Sequence, residues 1–134
     1  MNKSQAAIEY LVLSTVLILI ISIVLWYSLT ISSNTSAQIK VSQLQSLVKR
    51  LKEVSDILCI EGEPARHSIS AYIPSGVVDA GFENYTIFYN IRIDSSIVPV
   101  YDVSNCKLNG SLPINEGYYV IVLEAMEGYV NVTF

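Results

Sequence analysis

The sequence predicts an α+β protein: a long N-terminal α-helix, hydrophobic in its first half and amphipathic in its second, packed on a small C-terminal antiparallel β-sheet or sandwich domain. Three observations predict it. The thirty residues 10–39 carry no charged side chain. No glycine or proline, the strongest interrupters of a helix, occurs before Gly62. Beyond Gly62 and Pro64 the apolar residues change from a helical spacing to alternation.

The first element is the apolar stretch 5–31, QAAIEYLVLSTVLILIISIVLWYSLTI. A helix crosses a bilayer core of about 30 Å with about 20 residues at 1.5 Å each, so this run is long enough to span a membrane. The apolar part of a secretory signal is shorter, about 7 to 15 residues, and a small-residue cleavage site follows it. The stretch is therefore expected to remain in the mature protein. Glu9 stands just inside it. A carboxylate there is stabilised by the positive end of the helix dipole, and an ionisable group at the hydrocarbon boundary is also a functional candidate because it is costly to keep.

The helix is expected to continue through the polar interval 32–38, SSNTSAQ, and onward to about Cys59. Over 32–60 its pattern changes: Val41, Leu44, Leu47, Val48, Leu51, Val54 and Leu58 recur three or four residues apart, with Lys49, Lys52, Glu53 and Asp56 opposite and Ile57 off the stripe. A stripe of this kind beyond a membrane needs a cover, and the rest of the chain supplies one.

In the third region, 61–134, Ile69, Ala71 and Ile73 alternate with Ser68, Ser70 and Tyr72, and Ile87, Tyr89, Ile91 and Ile93 alternate with Thr86, Phe88, Asn90 and Arg92. Residues 117–124, GYYVIVLE, are apolar at successive positions, which predicts a central strand covered on both faces. A turn at 125–128 followed by Val130, Val132 and Phe134 on one side predicts a hairpin. Pro99 marks 97–101 as an edge strand. Five to seven short antiparallel strands result. A sheet domain this small is marginal alone, so the helical stripe is expected to complete its core.

Charge bounds the function. Residues 1–60 hold five basic and three acidic side chains, a balance of +2, while residues 61–134 hold three basic and nine acidic, a balance of −6. An acidic outer half lacks the Lys and Arg that nucleic acid demands. Lys3 precedes the apolar run and the next positive charge is Lys40, which by the positive-inside rule places the N-terminus in the cytoplasm and the remainder outside.

Outside the cell, Cys59 and Cys106 can form a disulfide tying helix to sheet; the alternative is two buried thiols. Two cysteines and the lone His67 at unrelated spacings offer no metal site. Asn34, Asn84, Asn109 and Asn131 each open an N-x-Ser/Thr glycosylation triplet, with Asn109 in a glycine-containing turn the best placed and Asn34 the worst. One histidine, scattered carboxylates and no nucleophile or phosphate-loop motif exclude an enzyme reading and call for no cofactor. Seven of the nine tyrosines lie in 61–134, where they suit strand faces and subunit contacts.

The segment from Lys3 through Ser4, Gln5, Ala6, Ala7, Ile8 and Glu9 to Leu13 resembles the start of archaeal type IV pilin precursors with a class III signal peptide: a short basic leader, a Gln, a Glu four residues later, then an uninterrupted apolar helix. The resemblance implies a leader of residues 1–4, cut between Ser4 and Gln5 by a prepilin peptidase; the family usually has Gly where this chain has Ser4. It further implies a homo-oligomeric helical filament at the cell surface, assembled from a membrane-held precursor by an ATPase and a platform protein, with Glu9 pairing with the new amino group of Gln5 in a neighbouring subunit. Adhesion is the implied role. The rival reading is a single-pass membrane-anchored binding module, and a minor pilin lies between the two.

Overall fold

The structure, a computed structural model, describes residues 3–134, with side chains from position 5 onward except at 32–34. The side chains of Ser4 and Asn34, two of the candidate positions, therefore lie outside what is described. The element order is one helix, α1 (Lys3–Glu61), followed by seven strands: β1 (Arg66–Ile73), β2 (Val77–Glu83), β3 (Thr86–Ile93), β4 (Ser96–Val103), β5 (Leu108–Gly110), β6 (Gly117–Met126) and β7 (Tyr129–Thr133). The protein is α+β, with the second half of α1 packed against the C-terminal sheets. The chain divides into two compact units, Met1–Ala37 and Gln38–Phe134, at the end of the polar interval.

In the second unit, α1 ends because the chain meets Gly62 at φ 71°, a left-handed conformation that glycine adopts without a Cβ penalty. The Gly62 N–H donates to the Leu58 carbonyl at 2.9 Å, satisfying one of the last helical acceptors. The predicted stripe is the buried one: Leu44, Leu47, Val48, Leu51 and Leu58 are buried, Val41 and Val54 flank them, and Ile57 is exposed. Ser55 also sits on the buried face, at 0% exposure.

The strands form two sheets, one of four strands in the order β1-β6-β7-β5 and one of three in the order β2-β3-β4. Their inner faces and the helical stripe share one hydrophobic cluster that includes Ile69, Ile73, Ile87, Tyr89, Ile91, Ile121, Leu123, Val130 and Val132. Burying this apolar surface, at roughly 25 cal/mol per Å², is what holds helix to sheets. Pro99 lies on β4, an edge strand, as its missing N–H requires.

Four expectations need correction. The sheets are not purely antiparallel: β5 runs parallel to β7, with Asn109 opposite Asn131. Gly110 permits this approach, since a Cβ there would collide with the backbone of Val132. β6 is central but covered on one face only; Tyr118 and Val120 on the other face are 86% and 56% exposed. Phe134 is 56% exposed, its ring resting edge-on against Tyr119 with centroids 5.8 Å apart. The turn after β6 is the two-residue Glu127–Gly128 loop, because β6 extends to Met126.

Candidate functional site

The strongest candidate is the first unit itself. Leu17, Ile18, Leu19 and Ile20 are 60%, 63%, 57% and 57% exposed. Four consecutive residues cover the circumference of a helix, so the surface is apolar all round, with no buried stripe and no polar face. The helix is long and apolar enough to cross a membrane.

Its hydroxyls do not break that character. Thr15 donates to the Leu11 carbonyl at 2.7 Å, Ser22 to Ile18 at 2.8 Å, and Thr30 to Trp26 at 3.0 Å. Polar groups bonded to their own helix can enter an apolar environment without an external partner, as spanning helices require. The sequence signal for this was the spacing of each Ser or Thr from an apolar residue three or four positions earlier.

Gln5 and Glu9 are exposed and four residues apart, hence on one side of the helix. No ion pair to Glu9 exists among the described residues. The arrangement leaves a carboxylate on an apolar rod, able to accept a cation supplied by something else.

In the second unit a latch joins the helix to the loop before β5. The Ser104 hydroxyl, 3% exposed, donates to Asp56 Oδ1 at 2.7 Å and lies 3.1 Å from the Ser55 hydroxyl. Asp56 also accepts the Asn105 backbone N–H at 2.8 Å, and the Cys106 N–H donates to Ser104 Oγ at 3.2 Å. Three residues beyond Asp56 on the helix and two beyond Ser104 in the loop, Cys59 and Cys106 are joined as a disulfide with Cα atoms 6.1 Å apart. Asp56 stood on the charged face in the sequence reading. Its capping of a distant loop, and the burial of Ser55 and Ser104, left no periodic signal to find.

Of the glycosylation candidates, Asn84 is exposed in the β2–β3 turn at φ 55°. Asn109 is exposed too, on strand β5 rather than in a turn, and its Oδ1 accepts the Gly110 N–H at 2.9 Å. Asn131 is half-buried on β7. His67 is exposed on β1, with Nε2 3.6 Å from Glu61 Oε2. Among the described residues no group of three His, Cys, Asp or Glu side chains is placed to hold a metal.

Two tyrosines have displaced titrations. The Tyr72 hydroxyl donates to Glu116 at 2.8 Å, and this bond to a carboxylate raises its pKa. Burial raises that of Tyr89, whose hydroxyl has no hydrogen-bond partner among the described residues. Compared with family models, with curated proteins and with solved structures, the chain matches none.

Proposed function

We propose that this chain is a pilin, the repeating subunit of an archaeal type IV pilus-like surface filament with a role in adhesion. The observation that carries the reading is the helix of the first unit, apolar on every side and bearing one carboxylate, Glu9, in register with Gln5. A tether alone in lipid is apolar on every side as well, but it has no use for a carboxylate four residues after Gln5 behind a four-residue leader. A filament core uses both, the apolar circumference to bury any side against identical neighbours and the charge to set register, and head-to-tail contacts that do not close generate a helical fibre.

In this account the precursor waits in the cytoplasmic membrane with its N-terminus inside, and a prepilin peptidase removes residues 1–4. The freed amino group of Gln5 then pairs with Glu9 of a neighbour, because a charge entering an apolar core must be compensated. The ATPase and platform protein expected from the resemblance drive extraction. Units 38–134 form the outer surface, where the Asn84 and Asn109 triplets stand exposed.

The test is electron microscopy of surface filaments with mass measurement of the intact subunit. A filament subunit starting at Gln5 is expected, and Glu9→Ala should reduce filament yield while the disulfide and sheet fold persist. Single molecules in lipid that retain Met1, with no fibre containing them, would instead assign the chain to a membrane-anchored binding module.

A further inference from the structure

The two sheets have four outer edges, and three are protected in familiar ways. β2 carries a register irregularity between Val77 and Asp79, β4 carries Pro99, and β5 is three residues long. β1 has eight residues, with no proline, glycine or bulge, and among the described residues no strand pairs with its outer side.

Which backbone groups are free follows from the register. The Ala125 N–H donates to the Ala65 carbonyl at 2.9 Å, so Ala65 opposite Ala125 is a hydrogen-bonded pair. Such pairs alternate along an antiparallel ladder. His67, Ile69, Ala71 and Ile73 therefore bond to β6, and the N–H and C=O groups of Ser68, Ser70 and Tyr72 point to the open side. They recur every second residue, about 6.6 Å apart, which is the repeat of an extended peptide.

Beside this edge lies a groove of about 300 Å³ between β1 and residues 42–50 of α1. Buried Leu47, Ile69 and Ala71 line it, together with exposed Gln43, Ser46 and Arg50. Among the described residues Arg50 forms no ion pair. No carboxylate is among the groove's lining residues.

We propose that this groove is a strand-addition site for an extended acidic peptide segment of a partner protein. The guest backbone pairs with Ser68, Ser70 and Tyr72. Its side chains alternate, so one set packs small apolar groups onto Leu47, Ile69 and Ala71, and a carboxylate reaches the Arg50 guanidinium. Main-chain bonds supply the affinity, and the charge selects the guest. Nothing in this proposal depends on filament formation.

The experiment uses the full chain in detergent micelles and fluorescein-labelled hexapeptides that alternate threonine and valine, with aspartate at the second, third or fourth position. Saturable binding by fluorescence anisotropy is expected for at least one. Arg50→Glu should weaken it roughly tenfold or more and strengthen binding of the matching lysine peptide, as loss of a charge-assisted contact implies. Ser70→Pro removes a donor on the open side without touching the β6 ladder and should also cost about tenfold or more. N-methylating the bound peptide at alternate amides, in either phase, makes the same test on unaltered protein: one phase should abolish binding. Three results overturn the proposal: no saturable binding of any acidic peptide, equal binding of both methylated phases and the parent, or no response to Arg50→Glu. A dimer that Ser70→Pro dissociates, and that excludes the peptides, would overturn it in favour of a second copy at the edge.

Discussion

Residues 5–31 and 38–61 belong to one helix, yet they obey different rules. In the first stretch four successive apolar residues are all more than half exposed; in the second, Leu44, Leu51 and Leu58 are at 0–1% exposure while Lys49 and Arg50 face water. Helical propensity does not distinguish them. What differs is the number of surfaces each must satisfy: one stripe against the chain's own sheets, or an entire circumference against lipid or identical helices. A helix that has found its partner shows a polar face, and one whose partner lies outside the chain does not.

The largest expected effect tests how firmly the second stretch is fixed. Cys59 and Cys106 are 47 residues apart in sequence, and a loop of that length gives a stabilisation of about 4 kcal/mol in the chain-entropy model. Cys106→Ala should lower the unfolding free energy of the 38–134 unit by that order in denaturant titration, with Asp56 and Ser104 left to hold the loop. A change below about 1 kcal/mol would mean that the latch and stripe fix the helix without the covalent tie.

A matched pair of truncations then contrasts the two stretches directly. Leu51→Ala removes a side chain at 1% exposure and should destabilise the second unit by about 3 kcal/mol through lost transfer energy and the cavity left behind. Leu19→Ala, at 57% exposure, should leave the same transition unmoved. Equal shifts would mean that Leu19, like Leu51, is part of a core the chain builds for itself.

This contrast was legible in the sequence because it is periodic. The stripe from Val41 to Leu58 and the alternation at 69–73 and 87–93 repeat at 3.6 and 2 residues, and Pro99 removes a donor wherever it stands. β2 and the parallel β5 were not placed, since VVDAGFE mixes acids and glycine around a bulge and a three-residue strand has no period. The exposed side of β6 was misread for a related reason: an apolar run records what a strand tolerates, not what lies over it. Tyr118 and Val120 are open because no element covers that face of the four-stranded sheet. The candidate positions Gln5 and Glu9 were visible as residues, whereas the Asp56–Ser104 latch depends on a contact across 48 positions.

Tyr89 sharpens the picture of the second unit's core. Its hydroxyl is buried without a hydrogen-bond partner among the described residues, an arrangement that costs about 1–3 kcal/mol. Tyr89→Phe should therefore stabilise the unit by about 1 kcal/mol at neutral pH. The sign at high pH follows from linkage: burial raises the folded pKa above that of an ordinary tyrosine, so the neutral form is favoured. Stability falls as pH rises above the unfolded value. The phenylalanine variant should lose less stability in that range, read as a smaller drop in melting temperature between pH 9 and 11. An unchanged drop would place the alkaline sensitivity elsewhere, with Tyr72 and its Glu116 bond the next group to test.

The smallest effect separates charge from packing at the helix surface. Lys52 Nζ lies 3.4 Å from Asp102 on β4, and both side chains are about one-third exposed, at 34% and 35%. Exposed pairs of this kind contribute about 0–1 kcal/mol, because water screens the attraction and two flexible side chains must be ordered. Lys52→Met should consequently cost less than about 1 kcal/mol in low salt and nothing measurable at 1 M salt, where the screening length falls to about 3 Å. A larger, salt-insensitive loss would mean that the helix is seated on β4 through its charged flank as well as its apolar stripe.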